Sequence, residues 1–344
     1  MTTAQRPIFV TGMGRSGTTL LQALLSAHSR MGIAPESHFV KNALLFGGLE
    51  EGRPHDFGAF WESYTSNVNF RDLGIDPGAC LEVMAESGDR SYAGIFDAML
   101  RVWARKVDKP RVGEKTPNHV RFLDHLLTWF PDAKVLVMRR DPRAVVASQL
   151  RSPWVTLRLQ PRTPRGGIFI RKRSVHLARF AREWVRTYRD LVPAREKDTR
   201  VMVVPYERLV RDTEGQLQAV CDFLGEAFEP GMLTSRSEET VPPPDAKLAD
   251  ERYEAWREEH VSTALGPVDQ TKVEKWKEHL DSGEVAGVES WCRRTMEDVG
   301  YTSVSSLPGR LVAGARYRGV LAGAGLEEGA RSVARRAVRG REKG

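Results

Sequence analysis

The decapeptide Thr11-Gly12-Met13-Gly14-Arg15-Ser16-Gly17-Thr18-Thr19-Leu20 limits the possible folds of this chain more than any other stretch. Pro7-Ile8-Phe9-Val10 before it reads as a short buried strand, and Leu20, Leu21, Leu24 and Leu25 after it recur at the spacing of a helix face. A glycine-rich strand-to-helix turn lets backbone N–H groups converge on an anion at the positive end of the helix. Ser16, Thr18 and Thr19 add hydroxyl donors. Gly12 and Gly17 keep the frame of the phosphate loop G-x-x-x-x-G-K-[ST], but Thr18 stands where that loop carries the lysine that reaches β and γ phosphates. Arg15 supplies the cation instead, with a planar fork suited to two oxygens. An ordinary βα turn shares the local pattern, so the loop alone leaves the function open.

Further strands are expected at Arg111–Gly113, Ala133–Met138 and Arg200–Val204, each followed by helical patterning, with a strand-like Met31-Gly32-Ile33 between. This alternation predicts an α/β fold: a three-layer parallel sheet of the phosphate-loop type with helices on both faces, and ligands at the carboxyl ends of the strands. Two insertions interrupt it. Residues 39–109 are mostly helical, with Phe57, Phe60, Trp61, Tyr64 and Trp103, whereas residues 151–173 are rich in Pro, Gly and Arg and suit a loop over the site. Val241-Pro242-Pro243-Pro244-Asp245 marks another break. We expect one large domain over residues 1–304 and a basic helical or disordered tail over residues 305–344.

With 344 residues, 41% of them hydrophobic, the chain can bury a sizeable core. No run of eighteen apolar residues occurs and the first strand begins within seven residues, so the expectation is a cytoplasmic protein. Cys80, Cys221 and Cys292 lack metal-ligand spacing, which fits a reducing compartment. From Ser305 onward nine Arg/Lys face three Glu, so the tail holds +6 of the net +7 and the body is nearly neutral. That placement argues against a nucleic-acid groove on the body.

A second anion site is expected after the strand ending at Met138, in Arg139-Arg140-Asp141-Pro142-Arg143 followed by Ser148. Asp141 suits an N-cap and Pro142 the first helical position. Arg140 at the strand end and Ser148 two turns into the helix have the chemistry to grip a second phosphate; a merely capped helix is the plain alternative. Together, Gly14-Arg15-Ser16-Gly17-Thr18-Thr19 and the Arg140 motif with Ser148 resemble the sulfotransferases that use 3′-phosphoadenosine 5′-phosphosulfate. The likeness extends to Gly113-Glu114-Lys115-Thr116-Pro117 and to Val204-Pro205-Tyr206-Glu207-Arg208-Leu209, covering residues 7 to 301. It implies that Gly14, Arg15, Ser16, Gly17, Thr18 and Thr19 hold the 5′-phosphosulfate, Arg140 and Ser148 the 3′-phosphate, and that Tyr206 contacts the donor. It also implies chemistry without a metal, since this donor has no γ phosphate for a loop lysine to reach.

In the tyrosylprotein members a glutamate after the first helix is the general base, and the resemblance places Glu36 there, in Ala34-Pro35-Glu36-Ser37-His38. Arg15 and Lys115 then stabilise charge building on the leaving phosphate. A helix cap remains the alternative role for Glu36, and His38 the alternative base. Lys115 has the alternative of an exposed strand-end lysine, Tyr206 that of a core residue, and His119 that of a loop tie. The chain departs from the tyrosylprotein pattern at Gly266, before Pro267-Val268, where those members carry a lysine. The acceptor is therefore expected to be a glycan, glycolipid or small-metabolite hydroxyl rather than protein tyrosine. For the tail, basic with apolar residues at helical intervals, peripheral membrane contact, packing on the body or a homodimer mate, and disorder are the three readings.

Overall fold

The computed structural model describes residues 6–153, 155, 166–195, 197–234 and 263–322, the side chains of 166–172 excepted. The break at Val241–Asp245, much of the 151–173 insertion and the tail beyond 322 lie outside the described residues.

Among the described residues, five strands form one parallel sheet: β1 (Ile8–Gly12), β2 (Met31–Ala34), β3 (Arg111–Lys115), β4 (Lys134–Arg139) and β5 (Val201–Pro205). Their order is β2-β3-β1-β4-β5, which places β1 at the centre. Successive strand residues point to opposite faces, and every residue of β1, β2 and β3 is buried, so both faces of this part of the sheet are covered. Arg111, Glu114 and Lys115 are the costly members of that run. Arg111 Nη1 donates to Glu226 Oε1 at 3.1 Å and to the Leu224 carbonyl.

Helix α1 (Thr18–Ser26) follows β1. Five helices lie between β2 and β3, as the insertion pattern predicts: α2 (Phe39–Phe46), α3 (Phe57–Thr65), α4 (Val68–Leu73), α5 (Pro77–Ser87) and α6 (Tyr92–Val107). Their starts follow capping chemistry, with Asp56, Asn67, Asp76 and Ser91 each accepting a first-turn N–H. The aromatic residues of the insertion form its core. Phe39 stacks on Phe96 at 4.8 Å and meets Tyr64 edge-on at 5.3 Å, while Phe96 lies 5.6 Å from Phe9 of β1. The insertion is therefore bolted to the central strand by ring contacts. Helix α7 (Leu123–Trp129) joins β3 to β4, and α10 (Tyr206–Arg211) and α11 (Thr213–Leu224) follow β5.

The chain groups into two compact units, Met1–Arg140 with Asp190–Gln270, and Asp141–Arg189 with Thr271–Gly344. The sheet belongs wholly to the first. The second contains α8 (Pro142–Leu150), α9 (Gly166–Val185) and α12 (Ser282–Asp298). Leu177, Ala181 and Trp184 of α9 and Val288, Cys292 and Met296 of α12 recur at helical spacing and are fully buried. Asp141 caps α8 as expected, with Pro142 at the first position. Arg143 is buried between Asp141 and Glu289, 2.9 Å from the latter, with its guanidinium 4.4 Å over the Trp276 ring. The helix over residues 307–322 belongs to this unit, and its Tyr317 is buried against Gly287. No helix among the described residues is long and apolar enough to cross a membrane.

Candidate active site

Strand register places the expected site residues along one edge of the first unit. Val10 pairs with Lys115, Ala34 with Glu114, Gly12 with Met138, and Arg139 with Pro205. The Gly loop, Glu36, Lys115, Arg140 and Tyr206 thus all follow or end strands at the carboxyl edge. Because β1 sends the chain toward β2 and β3 on one side and has β4 on the other, its loop sits where the winding reverses, the position at which such sheets bind ligands.

The loop closes tightly. Gly12 has φ 143°, and a Cβ there would lie 2.4 Å from the Met138 carbonyl oxygen. Gly17, with φ 93°, is the N-cap of α1 and offers no side-chain acceptor to the first-turn N–H groups. A Cβ on Gly17 would strike the Tyr206 ring at 2.4 Å. Arg15 itself is left-handed at φ 75°. Its carbonyl accepts a hydrogen bond from Arg140 Nη1 at 3.3 Å, and the Arg140 guanidinium lies 4.1 Å over the Tyr206 ring. Thus Tyr206, 5% exposed, packs under the loop and against the Arg140 guanidinium. Gly14, Ser16, Thr18 and Thr19 complete the turn, with Ser16 N–H donating to Met13 at 3.1 Å. Ser148 lies on α8, in the second unit.

Glu36, two residues past β2, meets Lys115 at the end of β3: Nζ donates to Oε1 at 2.5 Å. The Lys115 side chain is 2% exposed, so it is not a surface lysine, and a buried ammonium of this kind requires an anionic partner. The other carboxylate oxygen is 3.1 Å from His38 Nε2. The two base candidates are therefore one contacting pair. The helix that follows is capped at His38, which has φ 48°, so the Glu36 carboxylate serves Lys115 and His38 rather than a helix start. A third of the Glu36 side chain reaches solvent, yet the groups around it exclude enough water for burial to act on it. Burial alone would push its carboxyl up; the Lys115 charge and the His38 contact outweigh it and hold Glu36 well below the usual carboxylate range.

Residues 7–230 match the model of the sulfotransferase family. The chain belongs to that family. Nodulation protein NoeE of Sinorhizobium fredii (strain NBRC 101917 / NGR234) is 26% identical to this sulfotransferase-family chain over 288 residues, covering 81% of the chain and 62% of that protein. The protein-tyrosine sulfotransferase of Drosophila melanogaster is 28% identical over 149 residues, covering 41% and 24%. The chain thus spans less than two thirds of the length of these relatives. Among solved structures, the sulfotransferase domain from the Synechococcus PCC 7002 olefin synthase covers 87% of the chain and 96% of its own length, with TM-score 0.54 and 20% identity. The sulfotransferase domain from the curacin biosynthetic pathway covers 88% and 100%, with TM-score 0.54 and 19% identity. Both have the fold of this chain.

Two features were not read from the sequence. Glu114, beside Lys115 on β3, is a buried carboxylate, and Ser37, beside Glu36, is fully buried on it. A carboxylate set between Gly113 and Lys115 in a strand paired on both sides was the available signal. His119, read as a loop tie, stands with its Nδ1 3.1 Å from Glu114 Oε2.

Proposed function

We propose that the protein transfers a sulfuryl group from 3′-phosphoadenosine 5′-phosphosulfate to an acceptor hydroxyl, with Glu36 as general base. The observation that carries this is the 2.5 Å pair between Lys115, at the end of β3, and Glu36, two residues past β2, beside the loop that ends β1. The donor set fits such an anion: an uncapped helix start, glycines whose Cβ atoms would collide with neighbours, and Arg15 and Arg140 joined through the Arg15 carbonyl. When bound, the donor supplies the activated sulfuryl group.

Within this reading the residues divide the work. Loop N–H groups and the Ser16, Thr18 and Thr19 hydroxyls hold the 5′-phosphosulfate, and Arg140 the 3′-phosphate; Ser148 carries that second assignment from its motif. Glu36 accepts the acceptor's hydroxyl proton at a carboxylate oxygen, because a neutral alcohol is a poor nucleophile until a base takes that proton. Lys115 and Arg15 face the charge that grows on the leaving phosphate. Thr18 occupies the place of the loop lysine, and transfer is expected to need no metal. The acceptor class favoured is a glycan, glycolipid or small metabolite. Exposed Leu307, Leu311 and Val312 on the helix over 307–322 support a peripheral contact for the tail, with a membrane surface or a second copy.

The test is transfer of labelled sulfate from this donor to an extract of acceptors, with and without chelator. Metal-independent labelling of a hydroxyl compound is the expected result. Activity abolished by chelation and restored by magnesium would count against it.

A further inference from the structure

One buried carboxylate ties the chain on both sides of the Lys115–Glu36 pair. Glu114 Oε1 accepts from the Ser37 N–H at 2.9 Å, from Ser37 Oγ at 2.7 Å, and from Thr116 Oγ1. Thr116 Oγ1 in turn accepts from the His38 N–H at 3.3 Å. The Ser37 carbonyl accepts from Tyr64 Oη of α3 at 3.0 Å, and Ser37 Oγ accepts from the Phe39 N–H at 3.2 Å. Every polar group of Ser37 is thereby engaged. Glu114 Oε2 faces His119, and Glu114 and His119 are each 1% exposed.

Sequence adjacency gives this knot its consequence. Ser37 follows Glu36, and Glu114 and Thr116 flank Lys115, so the atoms fixed by one carboxylate are the immediate neighbours of both members of the pair. A side chain one residue from a fully hydrogen-bonded backbone unit has little freedom to drift. A buried carboxylate is a demanding choice for a mere strand residue, since a neutral side chain would avoid the desolvation cost. Burial pushes the Glu114 carboxyl up, and His119, Ser37 and Thr116 together bring it below its ordinary value, so it is an anion within the knot.

We infer that Glu114, seated on His119, is the positioning residue that sets Glu36 against Lys115 and so aims the base. It acts through Ser37 and Thr116 and touches neither donor nor acceptor. The inference rests on the reading of Glu36 as base for its kinetic consequence, while its geometric consequence is independent of that reading. Charged and titratable groups facing Glu36 are Lys115 of β3 and His38 of its own loop; those facing Glu114 are His119 and the Tyr64 phenol.

Two measurements on the full chain decide it, using Glu114→Gln and the gentler Ser37→Ala. The first follows the carboxyl carbon resonance of Glu36, assigned by its loss in Glu36→Gln, across a pH titration. With the knot loosened, Lys115 holds Glu36 less tightly, and its titration is expected to move to higher pH than in the wild type. The second is a double-mutant cycle in single-turnover transfer. Each variant is expected to slow transfer by roughly 10- to 100-fold, the scale of a misplaced catalytic group, with affinity for 3′-phosphoadenosine 5′-phosphate within about threefold. In the Glu36→Gln background the same change should cost less than about twofold, because there is no base left to misplace. An unmoved titration in a folded Ser37→Ala or Glu114→Gln variant overturns the inference, as does full additivity in the cycle. Absence of any transfer by the wild type would instead defeat the proposed function, and the titration would still decide the positioning role.

Discussion

At the scale of single residues, the Lys115–Glu36–His38 contacts define the most informative experiments. Glu36→Gln keeps shape and hydrogen bonding but cannot take a proton, so kcat is expected to fall by roughly 10²–10⁴, with nucleotide affinity nearly unchanged. Single-turnover transfer with pre-bound donor checks this, and a collapse in His38→Ala with a near-normal Glu36→Gln would move the base to His38. The pH dependence has a definite sign. Because the folded carboxyl of Glu36 is depressed, its share of stability is present above the ordinary carboxylate value and is lost only as pH falls through the lower folded value. Lys115→Met removes the main cause of that depression, so Glu36 should titrate closer to its ordinary range and transfer should lose rate at a higher pH than in the wild type. A pH–rate profile reads the difference. Arg140→Ala should weaken binding of the 3′-phosphorylated nucleotide by about 1.5–3 kcal/mol and leave the analogue without that phosphate almost unaffected. Calorimetry with the two ligands is the check, and equal losses would remove Arg140 from the 3′-phosphate.

At the scale of elements, the turn between β1 and α1 is a packed unit. Gly12 and Gly17 hold positive φ, and each abuts an atom that leaves no room for a Cβ, a backbone carbonyl at Gly12 and the Tyr206 ring at Gly17. The two differ in what can yield. A carbonyl in the β1–β4 ladder is fixed, whereas a side-chain ring can turn away. Gly12→Ala should therefore destabilise the protein by at least about 2 kcal/mol, from strained backbone and overlap together. Gly17→Ala should cost less stability but displace Tyr206 and Arg140, and so weaken nucleotide binding. Denaturant unfolding and calorimetry on the two variants separate these outcomes. The insertion between β2 and β3 supplies Tyr64, whose hydroxyl donates to the Ser37 carbonyl, so an element read as a helical insertion also buttresses the loop that carries Glu36.

At the scale of the whole molecule, each unit has its own buried ionic anchor. In the second, Glu289 is fully buried and accepts from the Val304 and Ser305 N–H groups at 2.9 Å each and from Arg143 Nη1. Burial raises its carboxyl, and the Ser305, Val304 and Arg143 contacts outweigh that and lower it, so acid should weaken this unit as pH drops through the folded value. Glu289→Ala leaves Arg143 with Asp141 as its anionic partner but strands the Val304 and Ser305 N–H groups, and about 1–3 kcal/mol of stability should be lost in thermal or denaturant unfolding. The same contacts show where a tail deletion belongs. A cut at Ser305 would remove Tyr317 from its seat on Gly287, whereas a cut after residue 322 leaves the described helices whole. The truncation after 322 removes six of the nine basic residues of the tail and is expected to keep nucleotide affinity while weakening any flotation with anionic vesicles; undiminished flotation would assign that contact to the helix over 307–322.

The sequence alone determined those features that depend on neighbours along the chain. A strand-turn-helix with glycines at fixed offsets, an Asp-Pro helix start and apolar runs alternating with helical periods are local signals, and they were enough for the parallel sheet, the loop, Arg140 and the family. Tertiary structure decided what depends on contacts between distant segments. That Glu36 shares one contact with Lys115 and another with His38, that Arg143 serves Asp141 and Glu289 while Arg140 reaches the loop, and that Glu114 lies buried under Ser37 all follow from strand register and burial. Apart from Glu36–His38 and Arg143–Asp141, these pairings join residues 77 to 146 positions apart. Their energies arise only when water is excluded around both partners at once, and no local pattern of residue types records that exclusion.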